Sequence, residues 1–227
     1  MRYSRLVSAS SGLAVSLAGL AFGGPLDRTV VDRDANWLAH IDVEAAVRST
    51  VGVFMSGQKH HPQDEGLDKL RQLGIDPRKD IRGITVYGSM NAEEDGVAVV
   101  TTTGAADNLK ETLPTIGLDD FQVTQLEGHS MFSWSMDGTA WYAAIVPRTN
   151  PDERAVVFAV TRERLEHGLE VLAGRQPSLP QAKGDPADPP ADPMSALPRE
   201  GSCIFVAAHN LQDLPDFKKR AQAAKEA

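Results

Sequence analysis

The chain has 227 residues, is 41 % hydrophobic and carries a formal net charge of −8. That acidity argues against nucleic acid and anionic lipid as partners, because both attract basic patches. A single cysteine excludes an internal disulfide, and a core of ordinary size is affordable to a chain of this length and composition.

Residues 1–23 read as a cleavable secretory signal peptide. Arg2 and Arg5 form the basic start, and Leu13 to Phe22 forms the apolar core. Ala21-Phe22-Gly23 then places small residues at −3 and −1, so Gly24 is the expected first mature residue. The alternative, a retained N-terminal anchor, is disfavoured because the apolar run falls short of the ~20 residues that span a bilayer. Lipid attachment needs a cysteine at the cleavage point, and the one cysteine is Cys203. Cleavage would remove two arginines and no acid, moving the charge from −8 to −10.

Residues 24–33 read as a linker, and 34–176 as an α+β domain. Asn36 to Ile41 reads as a strand, and Asp42 can cap a helix running from Val43 to about Met55. A polar loop then carries His60, His61 and Pro62. A second helix, Asp64 to Leu73, presents Leu67, Leu70 and Leu73 on one face and ends at Gly74. Ile84 to Tyr87 and Val97 to Thr101 form a hairpin with a long loop. Ala106 to Leu113 is a short helix stopped by Pro114.

Three closely spaced strands follow. Phe121 to Leu126 turns at Glu127-Gly128 into Ser130 to Met136, where Phe132, Trp134 and Met136 alternate with serines at the period of a half-buried strand. Asp137-Gly138 is a two-residue hairpin signal leading to Thr139 to Val146. After Asn150-Pro151, Ala155 to Val160 is an apolar strand. Thr161 caps a helix from Arg162 to Ala173 whose Leu165, Leu169 and Leu172 point inward. Helices set apart from a meander of hairpins predict an α+β fold, with a mainly antiparallel sheet and helices packed on one face.

Residues 177–200 form a Pro-rich linker, with seven prolines between Pro177 and Pro198. Residues 201–227 read as a strand and helix. Ala39-His40-Ile41-Asp42-Val43-Glu44 aligns without gaps to Ala208-His209-Asn210-Leu211-Gln212-Asp213. This segment is either the possible start of a second repeat of the same unit or an element completing the first sheet.

Chemistry is sparse. His60, His61, Asp64 and Glu65 are candidate metal ligands, but adjacent histidines point apart on a strand, and zinc sites favour a shared face. The competing reading is a polar loop whose acids favour a helix N-terminus. His40 and Asp42, with Trp141, are candidate ligand-binding residues; the structural alternative is a histidine hydrogen-bonded where strand becomes helix. Trp37, Trp134 and Tyr142 have the same two readings, groove or core. Cys203 reads as a small buried hydrophobe rather than a catalytic thiol. Gly128-His129-Ser130-Met131-Phe132 lacks the last glycine of a hydrolase elbow and lies in a hairpin, not a strand-to-helix turn.

Trp37 to Ala45, Leu73 to Ile81, Ile84 to Gly88 and Leu165 to Gly174 together resemble a group of uncharacterised exported proteins of planctomycete-type bacteria. The resemblance covers most of 34–210 and implies localisation and architecture, with no catalytic residues. The expected protein is a soluble envelope (periplasmic) binding or interaction module. It would bind another protein, such as one of the envelope, or a ligand through its sheet face or loops, with no cofactor and no membrane insertion after signal cleavage. The rival is a metal-dependent or other hydrolase using the His60/His61 loop.

Overall fold

The computed structural model describes residues 26–50, 52, 68, 70–89, 95–179 and 204–208. Residues 1–23, read above as a signal peptide, lie outside the described residues, as do His60, His61, Asp64, Cys203, His209 and most of the Pro-rich stretch. Among the described residues, no helix is long and apolar enough to cross a membrane.

Among the described residues, eight strands form one sheet: β1 (Trp37–Asp42), β2 (Ile81–Gly88), β3 (Val97–Thr103), β4 (Asp119–Leu126), β5 (His129–Met136), β6 (Thr139–Pro147), β7 (Glu153–Ala159) and β8 (Ile204–Ala208). Their order is β4-β5-β6-β7-β3-β2-β1-β8. Every neighbouring pair is antiparallel. The protein is thus α+β with a mainly antiparallel sheet.

Local chemistry fixes the meander. Glu127 and Gly128 have φ of 52° and 83°, and Asp137 and Gly138 have 53° and 75°. Two successive positive φ values are what a tight type I′ hairpin turn requires. Among the helices, α1 (Val43–Arg48) is capped by Asp42, whose carboxylate accepts from Ala45 N at 2.8 Å. A short helix, α2 (Leu109–Thr112), is flanked by 3₁₀ turns at Gly104–Asn108 and Leu113–Thr115, the latter carrying Pro114. The long helix is α3 (Arg162–Leu172), capped by Thr161. It ends at Gly174, where Gly174 N donates to Val171 O and Arg175 N to Glu170 O. That is the two-bond closure of a left-handed helix terminus. Ile75 N to Leu70 O and Gly74 N to Arg71 O close the segment before β2 in the same way.

The helical elements occupy both faces of the sheet rather than one. On one face, Leu38, Tyr87, Val97, Val99 and Val157 pack with Leu165 and Leu169 of α3 and with Val30 and Val31. On the other, Phe132, Ala143, Ile145 and Val156 pack with Ala105, Ala106, Leu109, Leu113 and Ile75. The reason lies in β6 and β7. Ala143 to Val146 and Ala155 to Val157 are buried without alternation, so a single covering layer would leave Ile145 and Val156 in water.

The linker expected at 24–33 is also corrected. Leu26, Val30 and Val31 are buried beneath α3. Asp27 caps a 3₁₀ turn at Arg28–Val30, and Leu179 N donates to Val31 O at 2.8 Å. The first residues of the Pro-rich stretch are held with it: Asp32 bridges Ser178, and Leu179 is 2 % exposed. Leu26, Val30 and Val31 in the one segment and Leu179 in the other gave both something apolar to bury.

Candidate functional site

A polar cluster lies where this N-terminal segment meets α3. Asp32 follows Val31, so burying the valine carries the carboxylate inside, where it is 6 % exposed. His167 Nε2 lies 2.7 Å from Asp32 Oδ2, and Asp34 N donates to Asp32 Oδ1 at 3.0 Å. One helical turn earlier, Arg164 places Nη1 3.9 Å from Asp32 Oδ2. Its Nε lies 2.8 Å from Asp95 Oδ1, an ion pair without hydrogen-bond alignment. Asp95 Oδ2 in turn accepts from Ser89 N at 2.7 Å.

Tyr87 projects from the end of β2 towards this cluster and is fully buried. Its hydroxyl has no hydrogen-bond partner among the described residues. Burial, with Asp32 and Asp95 nearby, pushes the phenol well above its ordinary range. Gly168 makes the approach possible, since a Cβ there would lie 3.0 Å from Val97 Cγ1 and 3.7 Å from the Tyr87 hydroxyl. Aspartate, histidine and arginine could together transfer a proton or hold an anion. The geometry instead ties three distant segments: the N-terminal turn, the β2–β3 connection and α3.

The candidate ligand residues are separated. His40 is buried and its Nδ1 lies 2.9 Å from Thr85 Oγ1 on β2. Burial lowers its pKa from 6.5, opposed by the nearby Asp42 carboxylate. The side-chain hydroxyl of Thr85 is thus one hydrogen-bond partner of this histidine. Asp42 caps α1. Trp141 lies on β6 opposite Trp134, four strands away from β1. At about 4.8 Å per strand this is roughly 19 Å. Trp134 belongs to the second core, and His40 shares the face of Leu38 in the first. His40, Asp42 and Trp141 therefore do not form one site. Trp134 packs edge-on against Phe158, with ring centroids 6.4 Å apart, as core. Among the described residues there is no group of three or more His, Cys, Asp or Glu placed to hold a metal ion.

A shallow cleft of about 120 Å³ opens where the β4–β5 turn faces α3, lined by Leu126, Glu127, Glu166, Leu169 and Glu170. Arg175 pairs with Glu127 and Arg162 with Glu166 at its rim. Beyond it, Gln122, Thr124, Ser133 and Ser135 share the α3 side of the sheet by alternation with Met131. Gln122 and Thr124 are exposed. Contacts of α3 reach β3, β7 and β6.

No family model and no curated protein matches the chain. A solved structure, crystal form I of TP0453, is similar at 10 % identity, with a TM-score of 0.35, over 65 % of this chain and 50 % of that one. The chain thus spans half the length of that protein, and a likeness this weak carries no argument about function.

Proposed function

We propose that this is an exported envelope protein, of the kind the planctomycete-type group represents, that acts by binding another envelope protein rather than by catalysis. Export rests on the basic, apolar and small-residue order of residues 1–23. Binding rests chiefly on one observation: the α3 side of the sheet is covered over β3, β7 and β6, whereas β4 presents exposed Gln122 and Thr124 beside half-buried Ser133 and Ser135 of β5. A polar surface of this kind suits a hydrogen-bonded, reversible interface. The Asp32–His167–Arg164 cluster serves the fold in this reading, because it ties the N-terminal turn and, through Asp95, the β2–β3 connection to α3.

The test places a photo-crosslinking residue at Thr124 and, as a control, at Asp152 in an exposed turn. In the envelope of producing cells, the Thr124 variant should give one discrete adduct that the Asp152 variant lacks. N-terminal sequencing of the same material should begin at Gly24. Identical adduct patterns from the two positions would remove the binding reading. An uncleaved N-terminus would remove the periplasmic, soluble one.

A further inference from the structure

The two ends of the described chain meet at β1 and β8, and their register carries more than simple pairing. In sequence, Ala39 to Glu44 aligns with Ala208 to Asp213. On that alignment Ala207 is the counterpart of Leu38, Ala208 of Ala39 and Val206 of Trp37. In the sheet, Leu38 pairs with Ala207, Trp37 with Ala208 and Ala39 with Val206. Leu38 thus faces its own counterpart, and the residues on either side exchange partners reciprocally, as an isologous two-fold contact requires.

Antiparallel strands always have local two-fold axes, but the axis need not relate equivalent residues. A slip of one residue would put counterparts on opposite faces of the sheet, and no two-fold normal to the sheet could then relate them. Here the faces agree: Leu38 is in the first core, and Ala207 packs against the same core.

The outer side of β1 shows what the same operation implies for β8. There β2 pairs antiparallel, with Trp37 opposite Gly88 and Leu38 opposite Tyr87. The equivalent edge of β8 bears no strand among the described residues, and Val206, the counterpart of Trp37, is 62 % exposed. We infer that β8 is the first strand of a second unit of this same fold. Its outer edge receives an antiparallel β2-type strand of that unit, making one sheet continuous across a pseudo-two-fold at Leu38–Ala207.

A second molecule of this chain cannot supply that strand, because its own β2 is enclosed between β1 and β3. The strand would instead follow β8 in the polypeptide, as β2 follows β1. This inference concerns the β8 edge and is independent of the β4–β5 surface proposed above, so either can fail alone.

The experiment recovers the protein from producing cells with an antibody against the 26–179 region and measures its intact mass. Hydrogen exchange at Ile204–Ala208 is then compared with that of the 24–227 chain. The expected product is longer than 227 residues by at least one further unit. Its β8 amides should exchange ~10-fold or more slowly than in the shorter chain, as paired edge amides do. A native product ending at Ala227 overturns the inference. So does a longer product whose β8 amides exchange as fast as those of the shorter chain.

Discussion

His167 on α3 and Asp32 beside the N-terminal turn meet at 2.7 Å although 135 residues separate them. Asp32 is 8 % exposed in its side chain and His167 32 %, so solvent screens the pair from one side only. Asp32 also accepts from Asp34 N and faces Arg164. Its removal strips several partners at once. Asp32→Ala should therefore lower the unfolding free energy by about 1–3 kcal/mol, the range for leaving buried polar groups unpaired. The check is urea denaturation near neutral pH, with exposed Asp152→Ala as the reference. A shift no larger than the reference's would show that Asp32 does not hold the N-terminal segment to α3.

Tyr87 presents the opposite case. Its ring is fully buried and its hydroxyl has no partner among the described residues, so the ring stabilises while the oxygen costs free energy. Removing only the oxygen leaves the packing intact. Tyr87→Phe should be neutral or stabilising by up to about 1 kcal/mol, whereas Tyr87→Ala should cost about 3–5 kcal/mol through the cavity. Thermal and urea unfolding of the two variants decide it. A loss above about 1 kcal/mol in Tyr87→Phe would mean that the hydroxyl bridges to Arg164 or Asp32 through water.

The contrast between these two residues and the hairpins shows what sequence can carry. Glu127-Gly128 and Asp137-Gly138 were readable because each turn needs positive φ, and the required residues sit next to each other. Thr161 and Asp42 were readable as caps for the same reason: cause and effect lie within three residues. The Asp32 cluster was not, since its members are scattered from residue 32 to residue 167. The one local hint was the setting of Arg164 and His167 against Leu165, Gly168 and Leu169 on a helix that buries its other side. Cover on both faces was likewise hidden. The apolar runs in β6 and β7 imply burial on both sides, yet the elements supplying the second layer, around Ala106 and Leu109, are short and weakly patterned. Trp141 and His40 could be named as candidates, but only strand order reveals that they lie four strands apart.

His40 makes stability depend on pH with a definite sign. Burial lowers its pKa from 6.5 in the fold, with Asp42 opposing. The unfolded chain therefore takes up its proton at a higher pH than the folded one. As pH falls from about 6.5 towards the folded value, the unfolded state binds more protons and stability drops. Above that window the contribution is fully present. His40→Gln keeps a hydrogen-bonding group opposite Thr85 and removes the titration. The wild-type melting temperature should fall more steeply than the variant's between about pH 7 and pH 5, the range of an imidazole. Parallel curves would assign the slope to other groups.

Gly168 tests how closely α3 is seated. A glycine inside an exposed helix is usually worth replacing, since alanine gains about 1 kcal/mol in helix propensity. Here the added methyl would meet Val97 Cγ1 at 3.0 Å and Val157 Cγ1 at 3.5 Å. Both valines are fixed on central strands of the sheet and are essentially fully buried, so neither can turn aside without disturbing the first core. Overpacking of this kind costs about 1–3 kcal/mol. Against the propensity gain, Gly168→Ala should be destabilising by about 1 kcal/mol, and Gly168→Val by more. The discriminating measurement is a double variant with Val97→Ala, which opens the space the methyl needs. Coupling between the two positions should recover part of the loss, because residues in direct contact are not additive. If Gly168→Ala instead raises the melting temperature, α3 stands further from β3 than these distances place it.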